Sequence, residues 1–193
     1  VNDLSEVNWL GAARGIMTTD TQPKVISRTI QSKSGSIRVA GIAKGSGMIR
    51  PDMATMLAFV FCDGFVATDD LQALLVRLIQ GSFNRITVDG DMSTNDSCML
   101  VATGASGVNI SGDRELEDGL GVFFTELDVA LIRDAEGATK FITVCVDGGV
   151  DSKECLRVAY AISESPLVKT AMFASDPNWG RILAAVGRSD IND

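Results

Sequence analysis

Between Gly35 and Cys62 the apolar positions first alternate and then run together. The stretch "GSIRVAGIA" has the period of two of a half-buried strand, predicted from Gly35 to Ala43, and "MLAFVFC" predicts a short buried strand from Met56 to Cys62. The period then changes. Leu71, Leu74, Leu75, Leu78 and Ile79 share one helical face. Ahead of them Thr68 offers a capping hydroxyl, and Asp69 and Asp70 suit the positive end of a helix dipole. Two more strands are predicted over "NRITVD" (84–89) and "SCMLVAT" (97–103), separated by the polar run "GDMSTND" (90–96). Leu116, Leu120, Phe123, Phe124, Leu127 and Leu131 recur at helical spacing and predict a helix from Arg114 to Arg133, although Gly119 and Gly121 lower helix propensity in its first turns. A strand over "KFITVCVDG" (140–148) follows. Asp151 and Glu154 then form a capping-box pattern for a helix through Ile162. Ser165-Pro166 and Asp176-Pro177 each read as a cap with proline at the first helical position of a further short helix.

Elements of both kinds without regular βαβ alternation point to an α+β layered sandwich, with a domain boundary near Ala135. Composition narrows the function. Apolar residues make up 46% of the 193 positions, but no run reaches the roughly 18 apolar residues of a membrane helix. The first residues, "VNDLSEVNWLGAARG", lack the parts of a signal peptide, so a cytoplasmic setting is expected. With 17 Lys and Arg against 25 Asp and Glu, the net charge is −8, and no basic stripe offers a nucleic acid a surface. Cys62, Cys98, Cys145 and Cys155 contain no C-x-x-C pair and read as small core hydrophobes. There is no histidine, which excludes Ser-His-Asp and Cys-His catalysis within this chain.

A nucleophile here needs another base. In "KGSGMIRPDMATMLAF" (44–59) a glycine-punctuated loop with Lys44 leads through Pro51-Asp52 to Ala54-Thr55. Read as packing alone, Thr55 is a β-branched residue opening a strand. Read as chemistry, scission before Thr55 frees an α-amine of pKa about 7.7–8.0, a base beside its own hydroxyl. On the bland reading, the "KGSG" run is a flexible loop, Thr18-Thr19 a turn before Pro23, and Glu136 with Lys140 a surface pair. Asp89, Asp91 and Asp96 lack the spacing of a calcium loop and read as a polar network supporting a site rather than a metal centre.

Five stretches, "GIMTTDT", "GIAKGSGMIRPDMATMLAF", "SFNRITVDGDMSTND", "DAEGATKF" and "SPLVKTAMFASDPNWGR", occur in the order found in the ornithine acetyltransferase (glutamate N-acetyltransferase) family, which the chain resembles over nearly its whole length. These are self-cleaving N-terminal-nucleophile enzymes related to the DmpA aminopeptidases. The resemblance implies a layered α/β/β/α-type sandwich. Residues 1–134 would be the central part of that sandwich with the cleavage site, and 135–193 the start of a second, smaller α/β domain. It implies scission between Ala54 and Thr55, Thr55 as the acyl-accepting nucleophile, and Thr18, Lys44, Thr55 and Glu136 as substrate-binding residues. The reaction implied is transfer of acetyl from N2-acetylornithine to glutamate in arginine biosynthesis, with no metal and no cofactor, and with acetyl-CoA as an alternative donor in some members. The protein would consist of two chains from one cleaved precursor. Hydrolysis in the manner of the DmpA aminopeptidases and amidases is the alternative on the same fold. The family's upstream Thr-Gly oxyanion pair has no match before Thr18, and its carboxy-terminal Asn and Ser/Thr have none before Asp193, so the 193 residues are expected to be inactive without another chain or segment.

Overall fold

The computed structural model describes residues 7–50, 56–92 and 95–191. They divide into two compact units, the first ending at Glu136 and the second beginning at Gly137.

The first unit is built on a four-stranded sheet in the order β1 (Lys24–Ser32), β2 (Gly35–Lys44), β3 (Leu57–Cys62) and β4 (Ser97–Ala102). β1 and β2 form a hairpin, β2 and β3 are antiparallel, and β3 and β4 are parallel. The parallel pair needs a long crossover, and α2 (Thr68–Gly81) lies within it. Strand alternation sorts the faces. Ile37, Val39 and Ala43 of β2, Ala58, Val60 and Cys62 of β3 and Leu100 of β4 point inward and are buried. They meet Leu74, Leu75, Leu78 and Ile79 of α2 and Leu116, Leu120, Phe123, Phe124, Leu127 and Leu131 of α3 (Arg114–Arg133) in one apolar cluster. The two helical faces are those that the spacing predicts. On the other face of the sheet, the Trp9 ring of α1 (Trp9–Ile16) meets Phe61 edge-on at 5.6 Å, while Met99 and Val101 are exposed.

Two glycines let α3 lie close to the sheet. A methyl group on Gly119 would come within 2.4 Å of Ile30, where something must shift, and one on Gly41 would stand 3.0 Å from Leu127 and 3.1 Å from Phe123, a tight fit. Gly119 therefore lowers helix propensity and allows close packing at the same residue.

A carboxyl is buried beside this core. Asp128 of α3 is 4% exposed, and burial pushes its carboxyl up to about 7, with the Val129 N–H offsetting part of the effect. An acid raised in the folded state binds a proton that the unfolded chain has already lost, so stability falls as pH climbs from about 4 to about 7. Asp128→Asn is expected to stabilise the protein by about 1–3 kcal/mol at pH 8 and to do little at pH 4. Thermal melts of both proteins across that range check this; equal melting temperatures at pH 8 would contradict it.

The second unit holds α4 (Ser152–Ser163), α5 (Pro166–Phe173) and α6 (Trp179–Val186), and its core is Val158, Ile162, Val168 and Ala185. Asp151 caps α4 by accepting the Glu154 N–H at 2.7 Å, and Glu154 in return accepts the Val150 N–H at 2.6 Å. Ser165 caps α5, with Pro166 in its first turn.

Several expectations are corrected. Residues 84–89 do not form a strand: a short 3-10 turn, Phe83–Arg85, is followed by irregular chain, in which Val88 donates one backbone bond to Ile49 at 2.8 Å. Residues 140–148 do not join a sheet either. Val144 and Val146 pack on the helical core, and the described part of the second unit has no strand to complete a ladder. The cap of α2 is Ala67, with Thr68 already helical. The cap of α6 is Asn178, whose side chain accepts the Arg181 N–H at 3.2 Å, while Asp176 accepts from the Asn178 amide at 3.0 Å. Cys145 is exposed; only Cys62 is fully buried. Both α1 and β1 escaped the sequence reading.

Candidate active site

The polar features gather at one end of the sheet. In the register, Lys44 lies opposite Leu57 and Leu57 opposite Ser97, so the exit of β2 and the entries of β3 and β4 share that end. Pro51, Asp52, Ala54 and Thr55 lie outside the described residues. Met56 donates its N–H to Asp96 Oδ1 at 2.7 Å, and its carbonyl accepts the Ser97 N–H at 3.1 Å. Burial raises the Asp96 carboxyl above its ordinary range, against the lowering effects of the Met56 N–H and the Lys44 charge.

The loop after Lys44 is fixed almost entirely through its backbone. Gly45, at φ 142°, donates its N–H to Asp20 Oδ1 at 2.7 Å. The buried Ser46 accepts the Glu136 N–H on its carbonyl at 2.6 Å, and its hydroxyl lies 2.7 Å from that of Thr19. A Cβ on Gly47 would stand 3.0 Å from Glu136 Oε2 and 3.7 Å from Asp89 Oδ2, so both carboxylates border the loop closely. Asp89 accepts the N–H groups of Met48 at 2.5 Å, Ile49 at 3.1 Å and Asp91 at 3.1 Å. Those bonds hold Met48 at φ 55°, a left-handed conformation uncommon outside glycine.

Beneath the loop lies a buried ion cluster. The Lys24 ammonium bonds Asp20 Oδ1, reaches Asp134 Oδ2 at 2.5 Å and donates to the Gly45 carbonyl at 3.3 Å. Asp20 also accepts the Thr18 N–H at 3.2 Å. Asp134, at the end of α3, accepts the Thr21 N–H at 2.9 Å, the Thr21 hydroxyl and the Gln22 N–H at 3.3 Å. Burial alone would raise both carboxyls. The Lys24 ammonium and the N–H donors outweigh it and hold both below the ordinary range. Their stabilisation is therefore present at neutral pH and is lost only as pH falls through those lowered values.

This cluster ties together the backbones that carry three expected substrate residues. Thr18 bonds Asp20, Lys44 precedes the Gly45 that Asp20 and Lys24 hold, and Glu136 follows Asp134 by two residues. Lys140 is engaged elsewhere, donating to the Met172 carbonyl and, at 2.5 Å, to the Ser175 hydroxyl. Asp89 and Asp96 accept N–H groups from different segments, and among the described residues no group of metal-binding side chains is formed. The sequence reading missed Asp20, Lys24 and Asp134. One clue was available: Lys24 begins an alternation with Ile26, Arg28 and Ile30, so a lysine occupies an inward-facing strand position that requires a partner.

A mixed sheet backed by two helices, with loops pinned by carboxylates at one end of its strands, defines an α+β protein whose polar site lies at the strand ends. The chain matches the ArgJ family over residues 1–192 and belongs to it. It is 54% identical to the arginine biosynthesis bifunctional protein ArgJ of Pseudomonas fluorescens (strain Pf0-1), a match covering all of this chain and 49% of that protein. The protein of the same name from Psychrobacter arcticus is 53% identical over 99% of this chain and 48% of the relative. The chain thus spans about half the length of the curated relatives it matches. A crystal structure of the arginine biosynthesis bifunctional protein ArgJ from Bacillus halodurans superposes with a TM-score of 0.63 at 38% identity, covering 67% of this chain and 63% of that one.

Proposed function

We propose that this chain is the nucleophile-bearing part of an acetyltransferase of arginine biosynthesis, moving acetyl from N2-acetylornithine to glutamate by way of Thr55. The observation that supports it is the convergence of Thr18, Lys44 and Glu136 on one loop beside the entry of β3, within a chain belonging to the ArgJ family. Thr55 stands just upstream of that entry in sequence.

Scission of the Ala54–Thr55 peptide bond frees the Thr55 amine. In the first half-reaction that amine takes the hydroxyl proton, Oγ bonds to the acetyl carbon, and the amide C–N bond breaks as the proton passes to the departing ornithine nitrogen. An acetyl-threonine ester remains. In the second, the glutamate nitrogen attacks the ester carbonyl and gives a proton to the amine, the ester C–Oγ bond breaks, and the amine returns the proton to Oγ, releasing N-acetylglutamate and restoring the hydroxyl. Lys44 supplies the cation for a substrate carboxylate, Glu136 the anion for a substrate ammonium, and Thr18 a hydrogen-bonding hydroxyl. The chemistry uses no metal or resident cofactor. Acetyl-CoA can donate to the same hydroxyl. The working enzyme would comprise two chains from one precursor, act on small molecules rather than nucleic acid, and work in the cytoplasm. Among the described residues no helix is long and apolar enough to cross a membrane.

The test is to give the full-length polypeptide carrying this chain N2-acetylornithine with and without glutamate. Continued turnover to ornithine and N-acetylglutamate is expected only when glutamate is present; without it ornithine release should stop at about one equivalent per enzyme. Release of acetate independent of glutamate would overturn transfer in favour of hydrolysis.

A further inference from the structure

Around the loop that follows Lys44, the charged side chains fall into two sets. Asp20, Lys24 and Asp134 are engaged with one another and with the backbone, and Asp89 is engaged by the N–H groups of Met48, Ile49 and Asp91. Lys44 and Glu136 differ: among the described residues neither side chain makes a hydrogen bond or an ion pair, and Lys44 acts on Asp96 through its charge alone. A short link joins these two uncommitted charges. The chain runs from Lys44 through Gly45 to Ser46, whose carbonyl accepts the Glu136 N–H at 2.6 Å, so a fixed backbone path connects the cation to the anion. Gly47 comes next, with the Glu136 and Asp89 carboxylates beside it. Met48 follows at φ 55°, and Asp89 holds it there: Oδ2 accepts the Met48 N–H at 2.5 Å and Oδ1 that of Ile49 at 3.1 Å. The Val88 N–H adds a bond to the Ile49 carbonyl at 2.8 Å. A left-handed residue other than glycine persists where its surroundings over-determine it, and such residues gather at ligand clamps.

We infer that Asp89 is a positioning residue that sets substrate length: by holding the loop 45–49 against the Glu136 carboxylate it fixes the separation of the Glu136 anion from the Lys44 cation, and so the span of the amino acid that bridges them. The inference rests on the reading that Lys44 and Glu136 bind the two charged ends of the substrate. N2-acetylornithine carries its carboxylate and its ammonium at opposite ends of one flexible chain, so two protein charges at a fixed spacing select among homologues by their length. Asp89 touches neither end. It acts through the backbone of Met48 and Ile49.

The experiment uses the full-length protein and compares wild type with Asp89→Asn, Asp89→Glu, Asp89→Asn combined with Met48→Gly, and Glu136→Gln. It reads kcat and KM for N2-acetylornithine and for N2-acetyllysine, which is one methylene longer. An amide has one accepting oxygen where the carboxylate has two, so Asp89→Asn releases one of the N–H groups that fix Met48 and Ile49. That variant is expected to raise KM for N2-acetylornithine about tenfold with kcat little changed, the signature of lost binding shared by ground and transition states. It should also cut the preference for N2-acetylornithine over N2-acetyllysine about tenfold, the scale of one methylene in a fitted pocket. Adding Met48→Gly should recover part of both, because glycine adopts a positive φ without support. A lower kcat with the preference between the two substrates unchanged would overturn the inference, since a residue serving overall stability alone predicts that result. Absence of any recovery on adding Met48→Gly would overturn it too, by separating Asp89 from the conformation of the loop. If Asp89→Asn does not fold, the decision passes to Asp89→Glu, whose longer side chain cannot bond Met48 and Ile49 where they stand; an unchanged preference there overturns the inference. Glu136→Gln separates this inference from the reading beneath it. An unchanged KM in Glu136→Gln removes the substrate site, whereas a raised KM there beside an Asp89→Asn protein that behaves as wild type removes only the role of Asp89.

Discussion

Replacing Thr55 with alanine is expected to abolish both chain scission and acetyl transfer in the full-length protein. Both steps draw on one hydroxyl. In scission it attacks the carbonyl of Ala54, and in transfer it attacks the acetyl carbonyl. The chain has no histidine to activate another serine or threonine in its place. Removing the nucleophile of a covalent mechanism costs on the order of 10⁶ in kcat in well-studied hydrolases. Thr55→Ser tests the same assignment from the other side: it keeps the hydroxyl and the amine, so it should still cleave and transfer at reduced rate. Denaturing gels read scission and product formation reads transfer. Scission persisting in Thr55→Ala would place the nucleophile elsewhere.

Lys24→Met is expected to have the largest effect on stability. The lysine side chain is 3% exposed and lies between the Asp20 and Asp134 carboxylates, themselves 0% and 10% exposed. Methionine matches its length but leaves two buried carboxylates without their cation. Breaking such a cluster from one side costs about 3–5 kcal/mol, several times a surface ion pair. For a chain of this size that lowers the melting temperature by about 10 °C or more. The same change removes the cation that joins Asp134, which holds Thr21 and Gln22, to Asp20 and the Gly45 carbonyl, and so loosens the segment before β1 against the Gly45 loop. At temperatures where the variant remains folded, KM for N2-acetylornithine should therefore rise more than kcat falls. Lys24→Arg should rescue little, because a planar guanidinium does not fit a site built around one ammonium. A Lys24→Met protein melting within a degree of wild type would show that the cluster is not what holds the loop.

The two longer helices of the first unit, α2 and α3, were legible in the sequence because each buries one continuous apolar stripe. Leu71–Ile79 and Leu116–Leu131 could face only one way, and both do. β2, β3 and β4 were legible for the matching reason, a period of two or a short apolar run. β1 was not. On the side of β1 towards α3, Ile26 and Ile30 alternate with two charges, the buried Lys24 and the exposed Arg28, which meet their partners Asp134 and Glu126 only in three dimensions. The segments 84–89 and 140–148 mislead in the opposite direction: both have β-branched composition, but a strand also needs a neighbour, and composition does not supply one. Motif resemblance points to Thr18, Lys44 and Glu136, whose backbones lie around one loop in the structure. The network beneath that loop was not legible, because Asp20, Lys24 and Asp134 are brought together across 110 residues and no local pattern marks an ion pair of that span.

The central claim is that Thr55 becomes an amino terminus and carries the acetyl group. Mass spectrometry of the full-length protein, quenched in acid after mixing with N2-acetylornithine in the absence of glutamate, tests it most directly. The expected result is a chain beginning at Thr55 whose mass is raised by one acetyl group, with the increment lost when glutamate is added before quenching. An unbroken chain in fully active material, or an acetyl group located on any residue other than Thr55, would contradict it.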